Sequence, residues 1–253
     1  MVYGLWQSAA GMAANQYRQN VAANNIANIN TVGFKHDLAM LVERPVESRE
    51  DGDARQFAHA MFDMLSGGTH VAPTIQTFEQ GPVMITDKPL DAMIQGKGFF
   101  AVQTDEGVRY TRDGNFTRSS EGLLVTSAEG DPVLDSGGGT ITIPAGGGKT
   151  EITSGGQIKQ GDAVIGTLGV VEFDDLSLLM KQGKNLYAAA ASATPHEATD
   201  SKIVPGALEG STMDPVKGLV DMIEASRAFQ MNANMISMQD TTLGRAVNEI
   251  ARF

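Results

Sequence analysis

From residue 215 to residue 250 apolar side chains return at every seventh position: Met222, Phe229, Ile236, Leu243 and Ile250. A second row, Leu219, Ser226, Ala233, Asp240 and Val247, interleaves with the first at steps of four and three. Together they make a heptad seam interrupted at Ser226 and Asp240. Asp214 followed by Pro215 supplies an N-cap and a first helical residue, so one helix is predicted over 215–250. At roughly 1.5 Å per residue such a helix is about 54 Å long. A small domain cannot cover that length, and a helix with this seam must find a partner.

The other end of the chain offers one. Residues 1–30 carry a single charged side chain, Arg18. Leu5, Ala9, Met12, Ala13, Tyr17, Val21 and Ile26 recur near helical spacing, which predicts a helix over 4–27. So little charge does not suit a solvated surface helix. Leu5, Met12 and Ile26 form a partial sevenfold row with Gln19 in its gap, and the Ala and Gly positions permit close approach of a second helix. Asn24, Asn25 and Asn28 need hydrogen-bond partners wherever they are buried. Gly33 is a plausible helix stop or turn. The C-terminal helix also lacks charge between Arg227 and Asp240, so pairing the two helices leaves uncharged surface over, which further subunits would cover. A plainer reading lays both helices on the rest of the chain as ordinary core.

Between the helices the period changes to two. Leu90, Ala92 and Ile94 alternate with polar neighbours, as do Phe100 and Val102. Turn pairs such as Glu106-Gly107 and Asp113-Gly114 separate short β-favouring runs. No long helical pattern interrupts them, which argues against a doubly wound α/β fold. The expected architecture is α+β: N- and C-terminal helices paired as a coiled coil, with a central antiparallel, partly barrel-like β domain. The boundaries expected are 1–34 for the first helix, 35–75 for an extended connector with a short helix around 54–65, 76–205 for the β domain and 206–253 for the last helix.

Composition narrows the function. The net charge of −11 argues against a grip on nucleic acid or on anionic lipid, both of which need clustered Lys and Arg. The chain has no cysteine, which excludes disulfides, thiolate metal sites and a thiol nucleophile. No apolar run reaches the roughly 18 residues of a membrane helix. The N-terminus lacks a basic stretch followed by an apolar one, so no ordinary secretory signal is expected. Gly146–Thr150, GGGKT, falls short of a phosphate loop because Ile143 stands where Gly is required, and a hairpin tip accounts for it better. Gly96-Lys97-Gly98 precedes a strand pattern and not a helix, so it reads as a tight turn. His36, His59, His70 and His196 are scattered without metal-site spacing. Acidic pairs such as Asp174-Asp175 fall in apparent loops and read as solvated, and the G-x-S-x-G elbow is absent. No catalytic residue, metal or cofactor is expected, and the chain reads as a non-enzyme.

Three segments, in order, carry a resemblance. NVAANNIANINTVGFK at 20–35 is similar to the N-terminal signature of the flagellar rod and hook protein family. IQGKGFFAVQTDEGVRYTRDGNFTRSSEGLLVT resembles the core shared by the hook, FlgF and FlgG subunits. The tail from LEGSTMDPVKG to LGRAV resembles their shared C-terminal helix. Chain length, LEGS ahead of the helix and GRAVNEIARF closing it are closer to the proximal-rod branch than to the distal-rod branch, although Ser211-Thr212 replaces the Ser-Asn common there. The resemblance implies a structural subunit whose terminal helices line a hollow axial assembly while the β domain packs outside. It implies export without a cleavable signal through the flagellar type III apparatus to the periplasmic rod. Implied neighbours are copies of the chain itself, FlgB and FlgC on the cell-proximal side, and FlgG on the distal side. The assembly residues expected from both readings are Leu5, Met12, Asn24, Asn25, Asn28, Leu219, Met222, Phe229, Ala233, Ile236, Leu243, Val247 and Ile250. A secreted β-rich binding module and an acidic enzyme are the alternatives outside the family, and neither accounts for two long uncharged helices at opposite ends.

Overall fold

A computed structural model describes residues 2–43, 68–198 and 201–250. The short helix expected over 54–65 lies outside the described residues. The chain forms two compact units. One comprises Met1–Ala27, Asp37–Thr77 and Met213–Phe253, and the other Asn28–His36 and Phe78–Thr212.

The first unit is built on helices α1 (Val2–Ala27) and α2 (Pro215–Ile250). Asp214 caps α2, its Oδ1 accepting from the Val216 and Lys217 amides at 2.8 and 3.1 Å, and Pro215 occupies the first turn, where no amide is needed. The helices pack antiparallel at close range. A Cβ on Gly4 would lie 3.1 Å from Gln239 Nε2, one on Gly11 3.0 Å from Asn232 Nδ2, and one on Gly218 3.0 Å from Ile26 Cγ1. Helix α1 also packs on an antiparallel ribbon, β1 (Asp37–Glu43) with β2 (Thr69–Gln76). Asn25 fastens the start of that ribbon by imitating a strand. Its Nδ2 donates to Asp37 O at 2.8 Å and its Oδ1 accepts from the Asp37 amide at 3.0 Å.

The second unit contains β3 (Val83–Ile85), β4 (Ala92–Gln95), β5 (Phe99–Thr104), β6 (Gly107–Thr111), β7 (Phe116–Arg118), β8 (Leu124–Thr126), β9 (Thr150–Ile152), β10 (Gln157–Gln160), β11 (Ala163–Thr167), β12 (Val170–Glu172), β13 (Leu179–Lys181), β14 (Leu186–Ala189), β15 (His196–Glu197), β16 (Lys202–Pro205) and β17 (Ala207–Glu209). Strand β5 is its centre because it buries both faces. Phe100 and Val102 enter one core with Phe116, Leu124, Val133, Ile143 and Ile158. Phe99 and Ala101, pointing the other way, join Tyr110, Leu134, Phe173 and Tyr187. Edge-to-face rings, such as Phe100 on Phe116 at 5.0 Å and Tyr110 on Phe173 at 4.9 Å, make those cores specific in shape.

Paired terminal helices and a central antiparallel β region agree with the sequence. The barrel-like closure does not. The strands fall into separate small sheets, and the largest, in the order β13-β14-β6-β5-β12-β15, is open at both ends. Closure requires edge strands long enough to pair at a consistent stagger. Here β13 has three residues and β15 two, and two packed cores cover the faces of β5 without closure. The GGGKT segment runs through an exposed turn into β9, and Gly96-Lys97-Gly98 is the turn between β4 and β5.

The close helix approach gives a test. Gly11→Leu should cost about 1–3 kcal/mol, because the added side chain overpacks the contact with Asn232. Ala13→Leu on the exposed side of α1 should stay within about 0.5 kcal/mol of the parent. Thermal unfolding followed by far-ultraviolet circular dichroism compares the two.

Candidate assembly site

Among the expected assembly residues, Met222, Phe229, Ile236 and Leu243 are half-buried along one side of α2, and Ile250 is the last residue of that helix. The row that alternates with them at the α1 contact is Gly218, Ala225, Asn232 and Gln239, one position before the row read from bulk. Gly218 and Ala225 are buried, whereas Leu219 is 50% exposed and Val247 67%. Ala233 is half-buried. On α1, Leu5 and Met12 are half-buried and Asn24 is exposed, while Asn25 is buried against the ribbon. The contact is close because a glycine stands on one side of each crossing: Gly4 and Gly11 on α1 face the amides of Gln239 and Asn232, and Gly218 on α2 faces Ile26. Close approach of this kind maximises packing without bulk. Asn28 lies in the second unit, where it accepts from Thr31 Oγ1 at 3.2 Å.

A second feature was not anticipated residue by residue. The segment that follows α1 in sequence, 28–36, and the segment that precedes α2, 209–212, bind each other inside the β unit. Gly33 N–H donates to Glu209 O at 2.7 Å and Thr212 N–H to Phe34 O at 3.1 Å. His36 N–H donates to Thr212 Oγ1 at 3.0 Å. Beneath this pairing lies a fully buried charge cluster. Lys35 Nζ donates to Glu209 Oε1 at 2.6 Å and to Glu79 O at 2.5 Å, and the Gly81 amide donates to the same Oε1 at 2.7 Å. Arg112 NH1 stands 3.5 Å from Glu209 Oε2, with its guanidinium 4.7 Å above the Phe99 ring. Burial pushes the Lys35 ammonium and the Arg112 guanidinium down from their ordinary values, and the Glu209 carboxylate opposes that in both. Gly33 is needed here as glycine and not as a helix stop. Its φ is +67°, and a Cβ would lie 2.6 Å from the Arg112 carbonyl carbon.

The scattered histidines gather no ligands: no group of three or more metal-binding side chains occurs among the described residues. Nor, among them, is any helix long and apolar enough to cross a membrane.

Two outcomes follow from these charges. Lys35→Met leaves a buried carboxylate short of its partner and should cost about 3–5 kcal/mol, whereas Lys35→Met with Glu209→Gln should recover a large part of it. Urea unfolding of the two single variants and the double variant measures the coupling. Asp113, buried near Asp91, has its carboxyl pushed up to about 6, chiefly by burial and further by Asp91, against the amide hydrogen bond from Asn115. Its folded value exceeds its unfolded one, so its contribution is complete below about pH 4 and is lost as pH rises through about 6. Asp113→Asn should therefore stabilise the chain by about 1–3 kcal/mol more at pH 8 than at pH 4 in the same measurement.

Comparison with known proteins agrees with this arrangement segment by segment. Residues 8–35 match the flagella basal body rod protein family, 93–160 the flagellar hook protein FlgE/F/G D1 domain, and 204–249 the C-terminal region of the flagellar basal body rod FlgEFG proteins. The chain is 41% identical over 219 residues to the flagellar basal-body rod protein FlgF of Caulobacter vibrioides, covering 86% of this chain and 85% of that one. It is 34% identical over 269 residues to the rod protein FlgG of Bacillus subtilis, covering 98% and 99%. To FlgF of Mesorhizobium japonicum it is 28% identical over 247 residues, covering 97% of each. Helices at both ends, the β core between them and the charged clasp that draws on all three matched segments make one case: this chain belongs to the flagellar basal-body rod and hook protein family, a structural and non-catalytic class.

Proposed function

We propose that this chain is a FlgF-like subunit of the proximal rod, which assembles through the outward surfaces of its two terminal helices into part of the hollow drive shaft. Family membership already makes it a structural, polymerising component of the flagellar basal body. The observation that carries the proposal is apolar surface left over after the helices pair. On α2, Val216, Leu219, Val220, Ile223, Met231, Met235, Met238 and Val247 are all between 43% and 70% exposed, and on α1 Trp6 is 69% exposed. A subunit that worked alone would hold that much apolar surface in water without return. In this reading the seam residues Leu5, Met12, Met222, Phe229, Ala233, Ile236 and Leu243 hold the helix pair together. Leu219, Val247 and Asn24 serve assembly from its flanks, whereas Asn25 is engaged by the Asp37 backbone and Asn28 by Thr31. Export through the flagellar type III apparatus would deliver the subunit to the periplasmic rod. Its neighbours there would be its own copies, FlgB and FlgC towards the cell, and FlgG beyond.

A specific observation favours a distal-rod, FlgG-like reading as the second choice. Among relatives matched over nearly their full length, the FlgG of Bacillus subtilis is 34% identical and the FlgF of Mesorhizobium japonicum 28%. The branches differ in where the subunit sits. Immunogold labelling of an epitope-tagged copy in purified basal bodies should mark the end of the rod next to the inner membrane. A label at the hook end would assign the distal branch instead. In the same preparation Phe229→Asp should lower incorporation by a hundredfold or more, since about 3 kcal/mol of lost packing is about that factor. Undiminished incorporation would refute assembly through the helix pair.

A further inference from the structure

The helix pair presents two outward surfaces of opposite character, and their difference says how copies meet. On α2, Met231, Met235 and Met238 lie within an arc of about 60°, and Met231 and Met238 are each turned about 100° from their neighbours Asn232 and Gln239 at the α1 contact. The three are 61%, 50% and 69% exposed. All are long, unbranched, polarisable side chains, and from Ala228 to Gln239 no charge interrupts the ridge they make, whereas the exposed Arg227 and Glu224 lie on the same side one and two turns before it. On α1 the outward positions Ala13, Asn20, Asn24 and Ala27 fall within a similar arc, about 180° from Gly4 and Gly11. From Ala13 to Ala27 that arc is exposed, carries no charge and holds only alanines and short amides, while Trp6, 69% exposed, stands on the same side nearer the N-terminus.

We infer that the methionine ridge of α2 in one copy packs into the alanine and asparagine face of α1 in the next copy. The inference rests on the reading that the chain polymerises, and it names the two surfaces that do so. Three observations support it. A bulky ridge and a small-residue face are complementary in shape, whereas two ridges or two flat faces are not. Neither the Ala13–Ala27 arc nor the Met231–Met238 ridge carries a charge, so contact strands no ion there, and Asn20 and Asn234, both exposed, bring amides to the two surfaces. The contact is also heterologous. A surface that meets a different surface leaves one of each kind open at the ends, which builds a filament, while a ridge meeting itself would close two copies and stop. Because both surfaces belong to the same helix pair, the contact continues the α1–α2 packing from subunit to subunit.

The absence of cysteine from the chain makes the test direct. A chain carrying both Ala13→Cys and Met235→Cys, expressed in place of the parent, should incorporate into rods. Mild oxidation should then give a ladder of disulfide-linked dimers, trimers and higher species. A bridge within one chain is out of reach. The Gly4–Gln239 and Gly11–Asn232 contacts set Met235 level with Ser8, so Ala13 lies about 7.5 Å further along α1 and on its outer side, beyond the roughly 7 Å limit. Each single-cysteine chain should give less than a tenth of that cross-linking. A second pair, Asn24→Cys with Met231→Cys, covers a shift of register and should give the same ladder. Dimers from Met235→Cys alone, as abundant as those of the double variant, would overturn the inference in favour of ridge-on-ridge contact. Incorporation of both double variants without a ladder would overturn it outright. Absence of the parent chain itself from rods would remove the polymerisation reading, and this inference with it.

Discussion

The carboxylate of Glu209 is the fixed point of the β unit. It sits at full burial with Lys35 on one oxygen and Arg112 near the other, and the same oxygen that takes Lys35 takes the Gly81 amide. A buried carboxylate is costly unless it is paired, and here one oxygen takes two hydrogen bonds while the other, without a hydrogen bond, faces the Arg112 charge at 3.5 Å. The consequence is positional. Lys35 comes from the stretch just after α1 in sequence and Glu209 from the stretch just before α2, so one ion pair joins segments that are 174 residues apart. The backbone bonds Gly33 to Glu209 and Thr212 to Phe34 extend that pairing in both directions. A hydrophobic contact could supply comparable stability, yet it would not register the two strands to a single residue as a charge with directed hydrogen bonds does.

The helix pair depends on an opposite device, the removal of side chains. Gly4 and Gly11 on α1 meet Gln239 and Asn232, and Gly218 on α2 meets Ile26. At each crossing one partner contributes almost nothing, and the other, an amide or an isoleucine, fills the space. Glycine inside a helix costs about 1 kcal/mol against alanine, so its repeated use in α1 is a local loss accepted for close packing. The compensation is shape. A thin seam leaves much of the bulk of α2, its methionines and Val216 to Ile223, on the outside where it is available for contact between copies. A thick leucine seam would have turned those side chains inward.

How much of this was legible before the structure follows from the same contrast. Helix limits, the Asp214 cap and the Met222–Leu243 row could be read because large apolar residues at a sevenfold period, opened by a capping Asp-Pro, seldom arise outside a helix. The alternating strands of the centre were readable for a similar reason, since Phe100 and Val102 repeat at period two. The partner row of α2 was not, because reading by bulk selects Leu219 and Val247, whereas the contact takes Gly218, Asn232 and Gln239, a glycine that meets Ile26 and two amides that meet glycines of α1. Sheet closure failed on a related ground: strand pattern reveals which face is buried but not how many residues pair at an edge. The Lys35–Glu209–Arg112 cluster was hidden because charged residues default to solvent, and nothing local marks one whose partners lie far away in sequence.

These two devices divide the labour of a polymerising subunit. Contacts between copies must be strong in sum and yet reversible while the polymer is being built, and an uncharged, methionine-rich ridge suits that because it adapts to small differences of register. Inside the subunit the opposite is required, since errors of a few degrees would accumulate along a filament. Directed interactions, the fully buried Glu209 cluster in one unit and the partly buried Asn25 to Asp37 strand mimicry in the other, provide that rigidity. Neither device involves a charge exposed at the surface, so moderate changes of pH should act on the subunit's stability chiefly through Asp113 inside the β unit.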